Sequence, residues 1–103
     1  MRTLVDGRQV VTTGGTAVAL SATNNTKAGG LIITAETNNT GIVVVGASTV
    51  VAAVGTRRGT PLEAGKSMSI NPNWSGDEGL VDLSKIYIDA TVNGDGVTFT
   101  YLS

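Results

Sequence analysis

Residues 85–103 read KIYIDATVNGDGVTFTYLS, and this stretch most restricts the possible folds. In its first run Ile86, Ile88, Ala90 and Val92 fall on one side, and Tyr87, Asp89 and Thr91 on the other. In its second run Val97, Phe99 and Tyr101 alternate with Thr98 and Thr100. A period of two is that of a strand with one buried face, not of a helix. Between the runs stand Asn93, Gly94, Asp95 and Gly96, residues that tolerate the backbone of a tight reversal. Taken alone, the stretch predicts a terminal β-hairpin.

The rest of the chain follows the same grammar. Short β-branched runs are broken by Gly, Asn, Asp and Thr, which places strands near residues 9–13, 16–21, 31–36, 41–45, 49–54, 60–62, 67–71, 85–92 and 97–102. The expected fold is all-β: a single-domain antiparallel β-sandwich, jelly-roll-like, with about eight short strands. The apolar runs at 31–33 and 42–45 do not alternate, so they are expected to be covered on both sides, by a second sheet or by another subunit. Ala52 and Ala53 hint at a helix over 48–59, but the valines and Gly55 weigh against it. Pro61 cannot donate to a ladder, which puts its strand at an edge or makes it very short. The sequence EAGK (63–66) marks a reversal. TNNT occurs at 23–26 and again at 37–40, each time before an apolar run. Two turns at one end of the sheets explain this better than a repeat, because the spacing to the following run differs. The Asn-x-Thr sequons in them are read as turn chemistry.

At 103 residues the chain makes one domain. Residues 10–103 are assigned to the sandwich, and residues 1–9 to an N-terminal arm or first edge segment. Apolar residues are 41% of the chain, charged residues 15%, and the net charge is −1. Such a balance excludes a disordered chain and gives no basic excess to grip nucleic acid. No apolar run is long enough to span a bilayer.

Chemistry is sparse. There is no Cys and no His, so thiolate chemistry is absent and the commonest metal ligand and proton carrier are missing. Ser and Thr therefore have no imidazole to activate them. The eight acids are scattered; only Asp77, Glu78 and Asp82 lie close in sequence, without the spacing of a calcium loop. EAGKS lacks the first Gly of a phosphate-binding loop. No enzyme, cofactor or metal is expected.

Surface recognition remains. Arg57 and Arg58 stand side by side in TRRGT, where planar guanidinium groups could hold a partner's carboxylates or simply face water. Trp74, the only Trp, lies in the loop 71–79 and is either an interface anchor or a lid on the sandwich. Arg2 and Leu4 lie on the less patterned N-terminal segment, which could reach a neighbour. Tyr87 and Tyr101 are read as cross-strand packing.

Four segments taken in order resemble a family. GTAVAL (15–20), NTGIVVVGASTV (39–50), GTPLEAGKSMSI (59–70) and DLSKIYIDATVNGDGVTFTYL (82–102) are similar to small virion proteins of tailed bacteriophages, of the capsid decoration (cement) and head-fibre type. The resemblance covers the chain from about Val10 to its end; TRRGT and the loop 71–79 lie outside its pattern. It implies a sandwich or jelly-roll domain on the capsid surface of the virion, made in the bacterial host cytoplasm. It further implies the major capsid protein as partner and a homo-oligomer, with a trimer favoured. The expected function is to bind the head and clamp neighbouring capsid subunits. The alternative is a receptor- or glycan-binding module of a fibre or tail.

Overall fold

Ten strands form in the computed structural model, which describes residues 3–22, 27–70 and 81–102. They are β1 (Leu4–Val10), β2 (Val18–Ala19), β3 (Lys27–Ala28), β4 (Leu31–Ala35) and β5 (Val43–Gly46), then β6 (Thr60–Leu62), β7 (Ser67–Ile70), β8 (Val81–Asp82), β9 (Tyr87–Ala90) and β10 (Gly96–Leu102). Two four-stranded sheets result. The first has the order β1-β10-β4-β7 and the second β2-β9-β5-β6, while β3 and β8 make a small ribbon. Every pairing is antiparallel, and the two sheets share one apolar interior. The protein is an all-β sandwich.

The pairings nest. β1 pairs with β10, β2 with β9, β3 with β8, β4 with β7, and β5 with β6. The chain is thus one long antiparallel ribbon with its tip at residues 47–59, wrapped so that its successive pairs fall in the first sheet, the second sheet, the small ribbon, the first sheet and the second. Cross-links between β10 and β4, and between β9 and β5, complete each sheet.

This wrapping changes the meaning of NGDG. β9 and β10 do not pair with each other; they lie in different sheets. The expected terminal hairpin is therefore a corner, at which the chain crosses from one sheet to the other. The opposing arm turns at the same place, and the two are tied together. Val11 N donates to Asp95 O (2.9 Å), Gly94 N to Val11 O (2.8 Å), and Gly14 N to Asn93 Oδ1 (2.6 Å). Asp95 also reaches a third loop, accepting from Thr40 N (3.1 Å) and Gly41 N (2.8 Å). The turn-forming residues are used to hold other loops, which a two-residue hairpin would not require.

Other expectations fare unevenly. Pro61 sits in a three-residue edge strand, and Glu63 to Lys66 reverse the chain through Lys66 N to Glu63 O (2.9 Å). The strand expected at 49–54 does not form. Residues 47–59 are an excursion with one bridge, Val51 to Arg58, and a short 3-10 turn at Val54–Thr56. Leu4–Val10 pairs along its whole length with β10, so residues 4–9 are edge strand and not arm. The second TNNT is a turn anchored by Asn39. Its side chain donates to Gly96 O (2.9 Å) and accepts from Gly96 N (3.0 Å), completing a strand-like contact at the start of β10. The first TNNT lies outside the described residues.

The interior is built from the inward halves of the alternating runs. Leu31, Ile33 and Ala35 of β4 face Val43, Val45, Ile88 and Ala90 of the second sheet, with Val97 and Phe99 beside them. Burying each such Val, Leu, Ile or Phe side chain is worth about 1.5–3 kcal/mol. Phe99 and Tyr101 stack along β10, centroids 6.2 Å apart. The Phe99 ring lies over Gly7 of β1: a methyl group on Gly7 would stand 2.6 Å from its Cζ. Gly7→Ala is therefore expected to cost about 1–2 kcal/mol by overpacking. A lower urea midpoint reads this cost, and an unchanged midpoint would mean that the ring has room to move.

Candidate interaction surface

The two outward faces of the sandwich are treated differently. The excursion 47–59 folds over the outside of the second sheet, where Val44, Val50 and Ala52 are buried with Ala17, Ile42 and Tyr87 packed against them. Both sides of 43–45 are thus covered, as their non-alternating pattern requires. One side is covered by the opposing sheet, as expected, and the other by a loop of the same chain rather than by another subunit. Asp89, assigned by alternation to an outward side, is 1% exposed beneath this loop. Its Oδ1 accepts from Gly15 N and Ala90 N, and its Oδ2 from Ala52 N, all at 2.9 Å. The carboxylate is spent on backbone donors.

Across the outward face of the first sheet, the described residues provide no such cover. Ile32, expected to be enclosed, is 51% exposed, because Leu31 and Ile33 take the inward positions of β4 and leave Ile32 outward. Leu4 (70%) and Leu102 (37%) lie opposite each other at the end of β1 and β10. With Thr100 and Ser69 they line one shallow depression. A second depression runs beside it, lined by Asp6, Arg8, Thr34 and Thr98, with Ile32 shared between the two. Thr34 Oγ1 and Ser67 Oγ are 2.7 Å apart. Arg8 reaches across β10 to grip Glu36 with two guanidinium nitrogens, Nη2 standing 3.2 Å from Oε1. The hydrogen bond and the charge of Glu36 raise the Arg8 pKa above its ordinary value, so this cation persists at any physiological pH. Apolar side chains among hydroxyls and one fixed ion pair suit docking to a macromolecule better than enclosing a small substrate.

The residues singled out from sequence do not converge. Leu4 belongs to the bare face. Arg57 and Arg58 are on the excursion over the other sheet. Arg57 Nε donates to Ala52 O (3.0 Å), tying its own loop, while Arg58 exchanges backbone hydrogen bonds with Val51 (2.9 and 3.2 Å) and leaves its side chain exposed. Arg2 and Trp74 lie outside the described residues, as do Asp77 and Glu78. Sequence reasoning missed Ile32, Leu102, Asp6 and Arg8. The alternation in LIITAE would have placed Ile32 with Thr34 had the inward partners been known. Among the described residues no three acidic side chains gather as metal ligands, and no helix is long and apolar enough to cross a membrane. Compared with known proteins, the chain matches no family model, no curated protein and no solved structure.

Proposed function

We propose that this chain is a capsid decoration protein, which binds the outer surface of a bacteriophage head and stabilises the lattice by bridging subunits of the major capsid protein. The observation that carries the reading is the asymmetry of the two faces. One is sealed by the chain's own excursion, and the other offers Leu4, Ile32 and Leu102 among Thr and Ser. The nested pairing supports reading the sandwich as a jelly roll, the arrangement that the motif order implies. The buried acids Asp89 and Asp95 have backbone partners and serve the fold, which fits a role in assembly without catalysis. The protein then works on the virion surface as a homo-oligomer. Modest contacts suffice, because each copy adds area across seams of the lattice and the copies sum. A second reading, a glycan- or receptor-binding module of a fibre or tail, draws on the hydroxyl-lined depression beside Asp6 and Arg8.

The test is co-sedimentation of purified protein with heads stripped of small surface proteins, copies per head being counted. Saturation at a lattice-matched number is expected. Ile32→Lys, folded by circular dichroism, should weaken binding about tenfold or more. Failure of the wild type to bind heads, with binding to a glycan array instead, would replace this reading by the second.

A further inference from the structure

β1 is an edge strand of unusual openness. The other sheet edges are shorter: β7 has four residues, β6 has three and contains Pro61, and β2 has two. β1 runs for seven residues in unbroken register with β10, with no Pro and no bulge. Natural edges of this kind are usually protected, since their outward N–H and C=O groups invite another strand.

The outward groups can be named. In an antiparallel ladder alternate residues turn their main-chain groups to the partner. Val11 N donates to Asp95 O, so Val5, Gly7 and Gln9 are the residues facing β10, and Leu4, Asp6, Arg8 and Val10 face away. Val10 N is consistent with this, because it is taken by its own neighbour, Gln9 Oε1 (3.1 Å). The Gln9 side chain also donates to Ala19 O (2.6 Å), closing that end of the sandwich. The open stretch is Leu4 to Arg8, and among the described residues no strand lies beside it.

Its side chains select one occupant. The outward series is Leu4, Asp6, Arg8, Val10: apolar, acid, base, apolar. Reversed, it complements itself. We propose that β1 pairs with β1 of a second copy of this chain, antiparallel and centred on Gly7, joining the two first sheets into one continuous sheet. In this register Asp6 stands opposite Arg8 of the other copy, and the pair exchanges N–H···O=C bonds in both directions. Leu4 stands opposite Val10. A shift by two residues in either direction sets Asp6 against Asp6 or Arg8 against Arg8, and like charges directly opposite are destabilising. Arg8 can serve both partners, since its grip on Glu36 leaves further guanidinium N–H groups. The inference does not rest on the decoration reading, although the merged sheet would present two bare faces as one.

The test uses the purified full chain in solution, without heads. Sedimentation equilibrium should give a dimer. Asp6→Arg, which leaves the Arg8–Glu36 pair in place, should weaken self-association about tenfold or more. Asp6→Pro removes an outward donor without touching the ladder to β10, and should give a folded monomer. The chain has no Cys, so register can be read directly. A mixture of Asp6→Cys and Arg8→Cys chains should form a mixed disulfide, because opposed residues in a hydrogen-bonded pair have Cα atoms about 5.5 Å apart. A wild-type monomer or trimer, a dimer indifferent to Asp6→Arg, or a disulfide in Asp6→Cys alone but not in the mixture would each overturn the proposal.

Discussion

Asp89→Ala is expected to lower the free energy of unfolding by about 3–4 kcal/mol, and to drop Tm by roughly 12–25 °C. The carboxylate is buried and meets three main-chain donors from three places: Gly15 at the corner, Ala52 in the excursion, and Ala90 in its own strand. A hydrogen bond to a charged acceptor is worth about 1.5–3 kcal/mol, and a buried donor left without one costs about 1–3 kcal/mol. The bonds are not additive, so the sum stays below three separate losses. Asp89→Asn sharpens the argument. Its amide oxygen can satisfy one side of the site, but its NH2 must then face a backbone N–H on the other. It is expected to cost about 2 kcal/mol although its shape is unchanged. Thermal melts of both variants check this. A neutral Asp89→Asn would mean that water, and not the carboxylate, meets the Ala52 N–H.

Asp89 also shows where sequence reading stops. Period two assigned Tyr87 to Ala90 of β9 and Val97 to Tyr101 of β10 to the correct sides, because alternation is a local consequence of the pleat. It could not say that the outward side of β9 is itself covered. That cover comes from residues 47–59, and nothing in KIYIDATV depends on it. The same limit turned a corner into an apparent hairpin. NGDG specifies a reversal, while the choice of partners for β9 and β10 rests on contacts with β2, β5, β1 and β4, all distant in sequence. Pro61 was readable as an edge because a missing donor is a local fact. Ile32 was not readable as exposed, since three consecutive apolar residues hide which one faces out. Of the interaction surface, Leu4 was legible and the Asp6–Arg8 pattern was present in the sequence. Its meaning requires knowing that β1 is an edge.

The treatment of the two outward faces gives the molecule a direction. The second sheet is finished within the chain, through a small apolar cluster under the excursion. Among the described residues, the first is left with apolar side chains in water at one end, Leu4, Ile32 and Leu102, and an open strand along one side. A monomer gains nothing from such a face and carries the aggregation hazard of the edge. An assembly protein gains both a lateral contact and a docking surface from the same sheet. The asymmetry therefore depends on the excursion staying down.

Gly59→Ala tests that dependence. Gly59 ends the excursion with φ of +117°, a conformation costly for a residue with a side chain. A methyl group there would stand 2.5 Å from Val45 O, 2.8 Å from Val44 Cγ1 and 2.9 Å from Val50 Cγ2. Backbone strain of about 1–2 kcal/mol adds to overpacking of about 1–3 kcal/mol, so a loss of about 3 kcal/mol is expected. Two outcomes can be told apart by amide hydrogen exchange. If the excursion lifts as a unit, Ala52 and Arg58 lose protection while Phe99 and Ile33 keep theirs, and the covered face becomes a second sticky surface. If the sandwich needs its cover, all of them exchange together at the global rate. Gly55→Ala is the control, since no atom lies within 4 Å of the added methyl group and its stability should stay within about 0.5 kcal/mol of wild type. Equal losses at Gly55 and Gly59 would show that the excursion resists any substitution, and that close contact with Val44 and Val50 is not what seats it.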